Sequence, residues 1–501
     1  MTLASALRSG VRLPVQYAWT VLPFYLLATG SLVVARVPLV AGLAAAISLL
    51  HVQGRLEPFV RTLDGLQPNQ LDTSDPTTLP SGLDEAVTGL VTPTVVGILG
   101  VALLAMLVVW IFTQAVASAG TFSAVYAALD GRDPLTDGVR GIVRHWRAFV
   151  GLALLRLLVL LVAVGVVAGG VAAGLAVSGP LGVVVGVSVG LLALVGLLVV
   201  SLALSFVGPA VVVDDVGVGG SVRGSLGFIR RNPVTFVLFF AISIGVSLAV
   251  GTAAALANFA GAGRLVGVLT PLLVAPALGG FQTALYAGVE LPEPSGQHDE
   301  RSRRRRLTGG FGRGWRALRQ FVVGHPLSIV AAAVVLTGGI AAGWMLTAPY
   351  GVSIQPPEDV AGVFGTVAIG PFVNIAANNW LVATGGSYGG LAFGVPQVSE
   401  LLFNGVFIGA LAGLFDRVGF VALVAPHGVI ELPALAVSGG LGFHLGRVGL
   451  DWFRGRLDAA DVGDELGRAF EVLVGLALVF VVAAFIEAFL TPRIAAFVLG
   501  G

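Results

Sequence analysis

Apolar residues run almost unbroken through stretches far longer than a core helix of a soluble protein needs, and short polar segments separate them. Val95 to Val116 and Leu181 to Val207 contain no charged residue, and each is long enough to cross roughly 30 Å of hydrocarbon as a helix. A strand-built barrel would alternate polar and apolar positions, and no such alternation occurs. The pattern predicts an all-α, polytopic integral membrane protein of about eleven transmembrane helices in two bundles. Six spans fall at about 16–35, 94–127, 148–177, 180–211, 233–257 and 265–288, and five more at about 326–347, 360–384, 399–415, 419–446 and 469–490. After Arg36 the first span has an apolar continuation to residue 50, which reads as more of the helix or as a re-entrant or interfacial piece. Between the halves, Pro292 to Thr308 mixes Pro, Ser, Gly and charge without apolar periodicity, the composition of a flexible linker. The chain thus divides into a six-span membrane domain (1–289), a basic cytoplasmic linker with an interfacial elbow (290–325) and a five-span membrane domain (326–501).

Composition supports lipid as the solvent. Hydrophobic residues make up 56% of the 501, charged ones 11%, and the mean hydropathy is +0.95, a balance that a water-exposed globule could not carry. All 28 basic residues are arginine and cysteine is absent, which excludes disulfides and thiolate metal sites. Such usage points to a GC-rich prokaryotic genome, and the acidic loops point to a halophile. The net charge is +1, and the arginines gather in short segments instead of covering a face, so nucleic acid is not an expected partner.

Where the arginines gather sets an expected orientation, because short basic segments resist translocation. The clusters are Arg132 to Arg147, Arg223 to Arg231, the run from Arg301 to Arg319, and Arg447, Arg454, Arg456 and Arg468, whereas His51 to Thr92 carries Asp64, Asp72, Asp75, Asp84 and Glu85. Eleven spans with a retained cytoplasmic N-terminus put every basic cluster in the cytoplasm of a cell-membrane protein. An element recurs before several spans: Val139-Arg140-Gly141 through His145, Trp146 and Arg147; Val222-Arg223-Gly224 through Phe228, Arg230 and Arg231; and Trp315, Arg316, Leu318, Arg319 and Phe321 before His325-Pro326. Each reads as an amphipathic elbow, with aromatics at headgroup depth and arginines facing phosphate and water. Arg140, Arg147, Arg223, Arg230, Arg231, Arg316 and Arg319 are therefore candidates to hold lipid headgroups or to dock a soluble partner.

There is no HExxH, no Gly-x-Ser-x-Gly elbow in a plausible context, no Walker loop and no acidic metal cluster, so no catalytic residue, metal ligand or cofactor is expected, and no enzyme. Gly442 and Gly446 form a GxxxG pair suited to close helix packing. The candidate polar residues lie in the second-half spans, where an unpartnered polar group is costly. Asn374, Asn378 and Asn379 occupy one span; Glu400 and Asn404 lie four apart on the next, and His427 and Glu431 four apart on the one after, with Glu487 near the end of the last. Asparagines read as interhelical hydrogen-bonding glue or as part of a polar path. Pro426, Gly428 and Pro433 are expected to break the helix around His427 and Glu431, as helices do where they line a site, and the pair reads as an internal ion pair or as a proton- or cation-binding pair. Asp416 and Arg417 read as an outer turn.

From about Trp315 to Pro492 the sequence resembles the stage II sporulation protein M family. The resemblance rests on Ile354-Gln355-Pro356-Pro357-Glu358, Asn374 with Asn378-Asn379, Asn404-Gly405, Pro426-His427-Gly428 with Glu431-Leu432-Pro433, and Ala484 through Pro492. It implies a membrane component that, in endospore formers, works with peptidoglycan-degrading partners and is not itself the hydrolase. Through its Arg-Gly elbows the N-terminal half resembles membrane domains attached to glycerophosphodiester phosphodiesterases, without their catalytic residues. The expectation is a non-enzymatic scaffold or permease-like subunit of an envelope-associated complex, in contact with membrane lipids and with a protein partner such as a cytoplasmic ATPase or an envelope enzyme. The alternative is a transporter or channel whose path is lined by Asn, His and Glu.

Overall fold

The computed structural model describes residues 1–64, 82–176, 179–292, 303–350 and 369–499. Asp72, Asp75, Arg301 and the Ile354–Glu358 stretch lie outside them. The described chain is helical, with no strand among the described residues. Its N-terminal half comprises α1 (Leu3–Gln16), α2 (Ala18–Val52), α3 (Leu56–Asp64), α4 (Leu83–Leu90), α5 (Pro93–Leu129), α6 (Pro134–Ala176), α7 (Pro180–Ala203), α8 (Val207–Val213), α9 (Val218–Arg231), α10 (Pro233–Phe259), α11 (Arg264–Leu269) and α12 (Ala275–Ala287). The C-terminal half comprises α13 (Arg303–Gly324), α14 (Pro326–Thr347), α15 (Ile369–Gly389), α16 (Val395–Leu414), α17 (Arg417–Phe453), α18 (Ala459–Phe485) and α19 (Thr491–Leu499). Two π-helical turns interrupt the α geometry: Thr270–Val274 joins α11 to α12, and Ile486–Leu490 joins α18 to α19.

Ten helices among the described residues are long and apolar enough to span a membrane. α15 carries the three asparagines and packs inside the bundle against α2, α17 and α18. The stretch after Arg36 simply continues α2 to Val52; in lipid a backbone that left the helix would lose hydrogen bonds that nothing replaces. The elbow at Arg140 to Arg147 is likewise the opening of α6 and not a separate piece. α9, by contrast, is a free-standing amphipathic helix that stops at Asn232, where Pro233 starts the next span. Its buried Ser225 accepts from Phe206 N–H (3.1 Å) and donates to Ala203 O (2.6 Å), satisfying backbone left over at the break between α7 and α8.

The two halves share one core, although the basic linker separates them in sequence. Leu22, Phe24 and Leu26 of α2 are buried in a cluster with Trp380, Tyr388, Leu441, Phe470 and Phe480. The Phe24 ring lies on Gly120 and Gly138, where a Cβ would overlap it. On the far side of the half, α7 turns Leu181, Val183, Leu191 and Leu194 outward, as a helix facing lipid does.

Glycines set the tightest approach. α14 and α16 run parallel with Gly339 and Gly343 facing Gly405 and Gly409; a Cβ on Gly409 would fall 1.9 Å from Ile340 O, and one on Gly343 2.1 Å from Val406 O. Gly442 and Gly446, the pair singled out in the sequence, also lie against neighbouring chain, with Gln397 Cγ and Gly394 N at 2.7 and 2.5 Å from the added Cβ positions. This is the small-residue packing that lets membrane helices meet through their backbones.

Candidate functional site

Three helices bring polar groups together at membrane depth. His427 and Glu431 lie one turn apart on α17, and Glu487 enters from the π-helical turn that ends α18. One ligand atom from each of the three lies within 4.8 Å of the others, and His427 Nε2 is 4.0 Å from a Glu487 carboxylate oxygen. His427 Nδ1 is 3.4 Å from Thr491 Oγ1, which holds the ring with Nε2 turned inward. The third helix, α15, brings buried Asn379 beside the Glu431 carboxylate. Measured from Arg417 at the end of α17, His427 and Glu431 lie about 15 and 21 Å along the helix at 1.5 Å per residue. That depth is inside the hydrocarbon layer.

In sequence His427 pairs with Glu431, and a broken helix is expected around them. Instead α17 runs unbroken through Pro426, Gly428 and Pro433, since prolines in a packed membrane helix are accommodated by small local adjustments. The irregular backbone is at Ile486–Leu490 of the partner helix, and π turns of this kind recur at functional sites. Thr491, named in the sequence only as a neighbour of Pro492, proves to be the histidine's hydrogen-bond partner. A reading of single helices cannot find such a pairing, because 56 residues part Glu431 from Glu487.

Other candidates lie elsewhere. Asn374 Oδ1 accepts from the Arg264 backbone N–H at 2.9 Å, capping α11 from across the interface between the halves. Asn378 donates to Asn379 Oδ1 at 3.4 Å. Asn404 donates to the Glu400 carbonyl one turn back, at 2.8 Å, and the Glu400 side chain lies near Arg36. Of these, Asn374 bonds between helices, Asn378 and Asn404 bond within their own, and Asn379 joins the histidine cluster.

A second region gathers at the other end of the bundle. α1 lies on α12, with Gly10 against Ala277 O; Ser9 accepts from Leu291 N–H at 3.0 Å; Leu135, at the start of α6, covers Gly463 of α18; and Gly314 of α13 meets Gly475 of α18. Arg313 covers the Trp19 ring at 4.3 Å, and Trp19 meets Phe470. Around this packing Arg140, Arg147, Arg223, Arg230, Arg231, Arg316 and Arg319 are all exposed. Arg140 is 3.3 Å from Asp137, and Arg147 lies over Trp146. The same end holds a cluster that the sequence analysis did not name, in which His444 Nε2 is 3.0 Å from Glu465 and its ring meets that of His325 at 4.4 Å.

Asp215 ties α9 to α6 at this end, receiving Arg144 and buried His145, the latter at 3.1 Å. It does so from a left-handed backbone, φ 53°, a conformation that aspartate and asparagine adopt more readily than most residues. Hydrogen bonds from Arg144 and then His145 hold its carboxyl below the usual aspartate range. A depressed carboxylate stabilises the fold above its unfolded value of about 4 and loses that contribution as the pH falls through the folded value. Amide protection factors at 214–218, exchange rates referred to the intrinsic rate at each pH, are therefore expected to fall in acid. Asp215→Asn, which keeps the backbone preference and removes the charge, should show the low protection already at pH 7. Equal exchange in both proteins across this range would rule out the tether.

Residues 331–492 match the family model of Stage II sporulation protein M, a stretch that contains every member of the histidine cluster. Residues 26–291 match a domain of unknown function, DUF7847. An uncharacterized protein of Methanocaldococcus jannaschii is 33% identical over 137 residues, 26% of this chain and 75% of that protein. No solved structure matches the chain.

Proposed function

This chain belongs to the family defined by the DUF7847 domain of unknown function, and from that premise we propose that it is a non-enzymatic membrane subunit of an envelope-associated complex, with its arginine-lined end in the cytoplasm. One observation carries the reading: α9, α13 and the opening of α6 bury their apolar faces in the bundle and leave seven exposed arginines on the same end. Helices already packed on the bundle present their charges without a backbone-ordering cost, which suits a docking platform. The orientation follows from arginine's preference for the cytoplasmic side. A partner with an acidic face, such as an ATPase or envelope enzyme, fits this surface, and anionic headgroups compete for the same arginines at about 1 kcal/mol each. The likeness to Stage II sporulation protein M over 331–492 is in keeping with a subunit that acts through partners.

Purification of the tagged protein from its own membranes in mild detergent should co-isolate a partner at near-stoichiometric amounts. Arg230→Gln/Arg231→Gln/Arg316→Gln/Arg319→Gln should reduce that recovery at least tenfold while the protein elutes as before on size exclusion. Recovery of the wild-type chain alone would count against the subunit reading. The second reading, transport, is favoured by the histidine cluster at membrane depth. It predicts a gradient-dependent flux in proteoliposomes that His427→Ala abolishes, and no flux over a broad panel of ions and solutes would dismiss it.

A further inference from the structure

We infer that His427, Glu431 and Glu487 form a binding site for a divalent first-row transition cation of the Zn²⁺ type. The geometry carries this. The donor atoms are mutually within 4.8 Å, with His427 Nε2 and a Glu487 oxygen at 4.0 Å. The centre of a triangle with sides of that size lies about 2.3–2.8 Å from its corners, so small side-chain rotations reach the 2.0–2.2 Å bonds that Zn²⁺ makes to imidazole nitrogen and carboxylate oxygen. Three protein ligands leave a fourth position open.

Two further observations point into the same space. Glu431 Oε2 is buried without a hydrogen-bond partner among the described residues. Asn379, 8% exposed, stands beside that carboxylate as a neutral donor that leaves its charge uncompensated. Native structures rarely strand a buried carboxylate oxygen, and a cation would satisfy it. Charge leads to the same place: among the described residues no arginine forms an ion pair with Glu431 or Glu487, although buried carboxylates are ordinarily paired or bound to metal.

The supporting residues suit a metal. Thr491 engages His427 Nδ1, the outer hydrogen bond that fixes the tautomer of a ligating imidazole and aims Nε2 at the ion. Glu487 sits within the π turn at Ile486–Leu490, an irregularity of the kind that recurs at functional sites. Imidazole among the donors selects Zn²⁺-like ions over Mg²⁺ or Ca²⁺.

The test is metal loading of the purified full-length chain in detergent. After chelation, dialysis against micromolar Zn²⁺ should leave about one ion per chain by mass spectrometry. Substitution with Co²⁺ should give the visible absorption bands of a four-coordinate nitrogen–oxygen site. His427→Ala, Glu431→Gln and Glu487→Gln should each lower Zn²⁺ affinity by more than tenfold, and Thr491→Val, which spares all three ligands, about tenfold. Glu400→Gln should bind as the wild type. Less than 0.1 ion per wild-type chain with no Co²⁺ bands, wild-type binding by Glu487→Gln, or displacement of Zn²⁺ by equimolar Mg²⁺ would each overturn the assignment. The Co²⁺ spectrum is read on the wild type, so it decides the question even if a variant fails to fold.

Discussion

Gly409→Leu is expected to unfold the C-terminal half. Its Cβ would sit 1.9 Å from Ile340 O and 2.9 Å from Ile340 Cα, atoms of the facing backbone that cannot rotate aside. Relief requires α14 and α16 to separate, and separation breaks the run of approaches at Gly339, Gly343 and Gly405 as well. Overpacking of this kind costs about 3 kcal/mol or more, enough to populate the unfolded state in detergent. Gly338→Leu supplies the contrast, because nothing lies within 4 Å of its added Cβ. The first variant should lose its monodisperse peak and melt at least 10 °C lower, and the second should behave as the wild type. Equal melting of the two would refute the glycine seam.

Trp380→Ala should be nearly as damaging. The ring is 6% exposed in the core shared by both halves, and its Nε1–H donates to Leu473 O at 2.8 Å. Truncating a buried tryptophan costs about 3–5 kcal/mol; in lipid most of that is lost packing, since the unfolded helices keep their apolar surroundings. Trp380→Phe separates the contributions. It retains most of the volume and drops the hydrogen bond, worth about 1 kcal/mol. Because Trp380 adjoins Asn379, the alanine variant should also loosen α15 against α17, read as faster amide exchange at 376–382. If the alanine variant unfolds in denaturant titration at the same midpoint as the phenylalanine variant, packing at this position does not hold the two halves together.

Span length, span type and the gathering of arginines were legible in the sequence because they depend on local composition. A run of apolar residues longer than 18 or so has a single low-energy state in lipid, the helix, and α5, α7 and α10 follow their runs closely. The elbows were legible for a similar reason, since amphipathicity is a property of one helix face. Even so, the periodicity could not say that α6 would absorb its elbow or that α17 would pass through two prolines, because both depend on the neighbours that pack against them.

The candidate site divides the same way. Sequence alone determined that His427 and Glu431 share a face of one helix, since residues four apart must. Only the tertiary structure decided that Glu487, Thr491 and Asn379 complete the group, and that Glu400, Asn404 and Asn374 do not. Contacts between helices are set by which small residues let backbones approach and by how the helices pack at irregular turns, and neither leaves a periodic signal. The change of composition at the basic linker was likewise plain in the sequence. That α2 packs into both halves was not, because in lipid helix pairing is driven by shape and not by a hydrophobic pattern.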